Sequence, residues 1–157
     1  MTRRPGVFAG DPSRECRCAA PLMARYRDRL SGPLRDRLDL TVEVPALPLE
    51  ALSAETGGES SADVRARVVA ARARQAERHA GDGIFTNAEL TPPLLAQYCA
   101  TDPAALRVLH SAMSRLSLSA RGYDRVRKVA RTIADLDGND RVAADHIAEA
   151  LQFRMIG

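Results

Sequence analysis

The stretch LSLSARGYDRVRKVARTIADLDG, residues 116–138, carries two patterns at once. Val126, Val129, Ala130 and Ile133 follow one another at spacings of +3, +4 and +7 from the first, which is one face of an α-helix. Ser119 stands where an N-cap belongs, and Asp137-Gly138-Asn139-Asp140 is a stop. The spacing therefore predicts a helix over 120–136 with a core face. Its other face carries Arg121, Arg125, Lys128 and, slightly off line, Arg131.

Working outward, helices are expected at about 91–99, 103–116 and 144–154, separated by Asp102-Pro103 and Ser117 to Ser119. Together they read as a compact helical bundle. Upstream, a helix over 62–80 is capped by Ser60 or Ser61 and ended by Gly81-Asp82-Gly83. Val64, Val68, Ala71 and Gln75 give it only a thin stripe, while Arg65, Arg67, Arg72, Arg74 and Arg78 charge most of its circumference. Such a helix is expected to be weakly held by burial. A polar Gly/Ser linker over 53–62 precedes it.

Nearer the start, Leu22, Tyr26 and Leu30 share a helical face that Ser31-Gly32-Pro33 ends. In LDLTVEV, residues 38–44, Leu38, Leu40, Val42 and Val44 alternate with polar residues until Pro45 and Pro48 close the run. That period of two predicts a strand. The first fifteen residues have no period and read as irregular. One strand cannot make a sheet, so the first forty-five residues read as the end of something larger. The expected organisation is 1–45, 46–85 and 86–157, in a mainly α chain.

Composition bounds the rest. The 157 residues are 45% hydrophobic, 27% charged and only 4% aromatic, with a net charge of +3. A sequence pI of about 9.0 is compatible with a nucleotide or nucleic-acid partner without demanding one. The cations are 22 arginines and one lysine, Lys128, an imbalance that GC-rich codon usage explains as well as phosphate contacts do. Three cysteines cannot all pair, and no secretory or membrane-spanning run occurs in the sequence, so a reduced, cytoplasmic, soluble protein is expected.

Neither GxxxxGK[ST] nor GxGxxG occurs in these residues, nor does HExxH, and no Ser/His/Asp constellation is suggested by spacing. Catalysis by this chain alone is not expected. Cys16-Arg17-Cys18 offers two thiolates, at most half of a tetrahedral zinc site, so no metal site is assigned. Arg121 sits at the positive end of its helix, where a cation is unfavourable unless an anion arrives to share it. The alternative is that it extends into water or pairs with Asp124. Arg37 stands just before the strand, behind Pro33, with Asp36 and Asp39 able to orient it. Rigid placement suits an arginine finger; a salt-bridge cluster at the strand entry is the other reading.

CRC (16–18), RYRDRLSGPLRDRLDLTVEVP (25–45), VRARVVAARARQAERHA (64–80), NAEL (87–90), the stretch 116–138 and VAADHIAEALQFR (142–154) together resemble, in order and spacing, the C-terminal part of magnesium-chelatase-like AAA+ ATPases of the ComM/YifB type. The resemblance covers roughly residues 9–155. It implies the terminal strand and finger segment of an AAA+ core followed by a helical lid bundle. It further implies ATP and Mg2+ as cofactors, bound only with a Walker-bearing partner, and full-length subunits in a hexameric ring. DNA, but no membrane, is a further partner, through branch migration in natural transformation. Matched to the motifs, Arg37 is similar to the finger that reaches a neighbour's ATP, and Arg121 to the sensor-2 arginine. The second reading is a stand-alone basic helical module that binds nucleic acid or regulates an ATPase ring. Three departures stand out: the family's Walker and sensor-1 elements precede the equivalent of residue 1, RRPG (3–6) replaces its CPCG-like stretch, and Arg35 stands where the motif usually carries Leu. A truncated, inactive module is therefore expected.

Overall fold

The computed structural model describes residues 16–29, 34, 36–44 and 58–154. The irregular start, the Ser31-Gly32-Pro33 stop, Leu30, Arg35, Pro45, Pro48 and the linker up to residue 57 lie outside the described residues. The chain divides into two compact units, Met1–Leu38 with Val42–Gly57, and Asp39–Thr41 with Gly58–Gly157.

In the first unit, α1 (Ala20–Arg27) starts with a proline in its first turn, where the missing N–H costs nothing. The Arg29 guanidinium lies 5.7 Å from the centre of the Tyr26 ring. Past Leu34, the Arg37 N–H donates to the Leu34 carbonyl at 3.0 Å, closing a turn.

The strand expected over 38–44 is not formed; these residues are irregular, and Leu38, Leu40, Val42 and Val44 are exposed. Alternation names the two faces of a strand, but a strand exists only where a neighbour completes its ladder. Among the described residues the only β-bridge is Thr101 with Val142. The Thr41 N–H donates instead to the Phe153 carbonyl at 3.1 Å.

The second unit holds α2 (Ser61–Arg78), a 3-10 turn (Asn87–Glu89), α3 (Pro92–Tyr98), α4 (Pro103–Leu116), α5 (Ala120–Leu136) and α6 (Ala144–Gln152). The α-helices follow the periodicity closely, and three of the five starts carry a side-chain cap. Ser60, Asp102 and Ser119 accept from the backbone N–H of Asp63, Ala105 and Gly122. At the end of α5, Gly138 takes φ +74° and the Asn139 N–H turns back to the Ala134 carbonyl at 2.7 Å.

The central element is α5, packed against α2, α3 and α6, with α4 on α6. Leu109, Val126, Ala130, Val142 and Ile147 are fully buried, and Ile133 and Leu151 nearly so. Val129, expected inside, is half-buried at the margin of this cluster.

Expected to be weakly held, α2 is anchored by polar groups instead. Its buried members are Ala71 and Gln75, followed by His79 just past its end, while Val64 and Val68 are exposed. A pattern of apolar residues cannot register an anchor made of buried polar ones.

Ser117 ends α4 in the left-handed region, at φ 48° and ψ 43°, which disfavours a side chain. Ser117→Gly is expected to raise the unfolding free energy by about 0.5–1 kcal/mol, read as a higher urea midpoint at unchanged slope.

Candidate functional site

The first turn of α5 is pinned by its cap, Ser119 Oγ accepting from the Gly122 N–H at 3.1 Å. Gly122 is buried, and a Cβ there would come within 3.2 Å of Arg154 Nη2 and 3.6 Å of Leu118. That places two guanidiniums, Arg121 and Arg154, about an end of a helix that already carries positive potential.

Beside this turn runs a groove of about 260 Å³, lined by Arg121, Asp124, Arg125 and Lys128 of α5 and by Leu90, Pro92 and Leu95. Three of its charged groups are engaged. Lys128 Nζ donates to the Ala88 carbonyl at 2.8 Å, and Arg125 pairs with Asp39. Asp124 lies 3.9 Å from Arg127, whose Nη2 also donates to the Leu95 carbonyl at 2.8 Å. Arg121 is exposed and its guanidinium engages no described residue, so the pairing with Asp124 is not formed.

Arg37 is also exposed, and its side chain engages no described residue. Asp39, expected to orient it, is occupied by Arg125. Arg37 and Arg121 fall in different compact units.

Cys16 Sγ lies 3.9 Å from Met23 Sδ, and among the described residues no three His, Cys, Asp or Glu side chains gather as metal ligands. The histidines have local tasks: His79 Nε2 meets Asn87 Oδ1 at 3.2 Å, and His146 Nδ1 accepts the Ala143 N–H at 2.9 Å. Burial pushes the Cys99 thiol up to about 11, far from a reactive thiolate.

A second constellation escaped the sequence reading. Arg131, expected on the basic face, is fully buried. It pairs with Asp135 one turn on, Nη2 to Oδ1 at 3.0 Å, and its Nη1 donates to the Asp140 carbonyl at 2.6 Å. Arg78 makes a two-pronged pair with the same carboxylate, and Asn87 Nδ2 donates to Oδ2 at 2.8 Å. Burial alone would raise the Asp135 carboxyl; the bonds from Arg78 and Asn87 and the charge of Arg131 outweigh it and hold it below the ordinary range. With its lone pairs taken, Asp135 clamps α2, the 87–89 turn and α5 together and is no general base. The available signal was an aspartate four residues after an arginine on a helix whose adjacent positions, Ala130, Ile133 and Ala134, are core.

The string NAEL gains physical content here. Asn87 enters the clamp, and Leu90 is buried with Leu95 and Cys99. Glu89 accepts from the Phe85 and Thr86 N–H groups, which holds its carboxyl below the ordinary range.

A mainly α chain with this capped bundle falls in a known class. Residues 58–154 match the magnesium chelatase, subunit ChlI C-terminal family, and residues 2–52 match the magnesium chelatase, subunit ChlI family. The chain is a member of this magnesium-chelatase-like family, with ComM- and YifB-type relatives. Competence protein ComM of Haemophilus influenzae is 45% identical over 83% of this chain and 25% of the relative. YifB of Escherichia coli is 42% identical over 89% of the chain and 27% of the relative. An uncharacterized protein of Mycobacterium tuberculosis is 44% identical over the whole chain and 31% of its own length. The chain thus spans about a third or less of the curated relatives it matches. No helix among the described residues is long and apolar enough to cross a membrane.

Proposed function

We propose that this chain is the lid and arginine-finger portion of an AAA+ ATPase that works as a ring. Arg121 holds an ATP phosphate as sensor 2, and Arg37 serves a neighbouring subunit's site in trans. The observation that carries the reading is Arg121 itself, an exposed cation on a capped helix start, without a partner among the described residues although Asp124 lies one turn away. A phosphate there would gain the guanidinium and the positive helix end together. ATP bound with Mg2+ supplies the driving force. The chain's own part is to bind and to sense the phosphates, in company with full-length subunits that bring Walker elements. The competence name of the Haemophilus influenzae relative supports a role in competence, and the family resemblance puts that role in DNA branch migration during natural transformation.

The nucleic-acid reading of the basic helix loses support from its ion pairs. Arg67 pairs with Glu59, Arg74 with Asp140 and Arg78 with Asp135. Among the described residues Arg65 and Arg72 are the two α2 arginines outside an ion pair, so the helix offers two of its five cations in full for counterion release.

The reading is tested by mixing the isotope-labelled 157-residue chain with an unlabelled full-length relative that brings the Walker elements, titrating with MgATP and following the labelled chain's backbone amide shifts. The shifts are expected to map to residues 119–128. Arg121→Ala is expected to weaken them by about tenfold or more, since a hydrogen bond to a charged group is worth ~1.5–3 kcal/mol. Shifts elsewhere, or an unaltered titration in Arg121→Ala, would remove the phosphate role.

A further inference from the structure

On the far side of the bundle, α4 turns Ala105, Leu109 and Ala112 toward the core. Next to that buried row a groove of about 430 Å³ opens between α4 and α6, walled by Val108, Ala112, Leu116 and Leu151. Arg107 and Arg115 stand on its rim. Both are exposed, and neither guanidinium engages a described residue. Eight residues apart on one helix, they are about 12 Å apart along its axis. No described acidic residue lines the groove. The left-handed Ser117 ends α4 so that Leu118 returns to the core while Leu116 stays 38% exposed at the groove's end.

We propose that this groove docks an acidic amphipathic segment of a partner protein. An apolar row on that segment seats against Val108, Leu116 and Leu151, and two carboxylates spaced about two helical turns apart meet Arg107 and Arg115. The walls set the kind of occupant, because desolvating apolar surface supplies affinity only to an apolar ligand. The arginines set its sign, since a basic segment would meet like charge at both Arg107 and Arg115 along the α4 rim, and an acidic one complementary charge. A nucleic-acid backbone would satisfy the guanidiniums but leave phosphates against apolar walls, and a bilayer would need these side chains on a convex face.

Selection of random 16-residue displayed peptides on the full chain tests this. The expected winners combine apolar residues with two Asp or Glu six to eight positions apart. An R107E/R115E variant is expected to bind them about tenfold or more weakly and to select Lys/Arg-bearing peptides in their place. Neither position has a partner among the described residues, so its thermal unfolding should match the parent's. Ser111→Trp, which fills the groove, should lose the peptides whatever their charge. No enrichment, winners without acidic bias, undiminished binding by R107E/R115E, or amide shifts in the groove on adding a DNA oligonucleotide but not an acidic peptide would each overturn the proposal.

Discussion

Replacing Asp135 with alanine is expected to lower the unfolding free energy by about 3–5 kcal/mol, because it strips a buried arginine of its counter-ion. Arg131 is fully buried, and burial pulls its pKa below the ordinary value only because Asp135 does not fully offset it. It cannot shed its proton near neutral pH, so the variant must bury a bare charge or open the end of α5. Arg78 and Asn87 would lose their acceptor at the same time. For a domain with a stability of roughly 5–15 kcal/mol this is a large share. Urea unfolding followed by circular dichroism measures it, and a loss under about 1 kcal/mol would show that water takes over the carboxylate's bonds. The double variant Arg131→Met/Asp135→Leu should recover part of the loss, since the charge and its partner then leave together.

The same carboxylate gives an acid limb with a fixed sign. Its folded pKa lies below that of an unfolded aspartate, so its contribution is complete above the unfolded value of about 3.9. It disappears as pH falls through the lower folded value. Parent and Asp135→Asn should therefore converge in stability toward pH 2 and differ most near pH 7.

The second large effect concerns Arg37 in its proposed role as an arginine finger. Removing an arginine finger costs about 10³–10⁵ in rate. A full-length ComM-type relative whose own finger is replaced by alanine should thus be nearly inactive as an ATPase. Adding the present chain is expected to restore turnover, and the Arg37→Ala chain to restore none. Arg37→Lys should also fail, because an ammonium cannot reproduce the planar fork. Equal rescue by the parent and by Arg37→Ala would remove the finger role while leaving Arg121 to be judged by its own titration.

Helix positions in the second unit were legible from local physics: a capping oxygen on α2, α4 and α5, a glycine at the stop of α5, and apolar stripes of period 3.6 on α4, α5 and α6. The core face of α5 could be read for the same reason. Arg121 could be placed at a helix start, since that needs only Ser119 two residues before it. The strand over 38–44 could not be secured, because its ladder needs a second chain segment that no alternation specifies. The α2 anchor was equally hidden, its fate depending on Asp135, 57 residues beyond Arg78.

Residue order alone was enough for the α-helices of the second unit, their ends to within about two residues and the core face of α5, since these follow from interactions within a few residues. Tertiary structure alone decided the charges. It buried Arg131 and spent Arg78 on Asp135, turned Asp39 to Arg125, and left Arg121, Arg107 and Arg115 without described partners. An arginine's range covers several possible acceptors at once. Which one it takes depends on what folding brings within about 4 Å, and that distance is not written in the order of the residues.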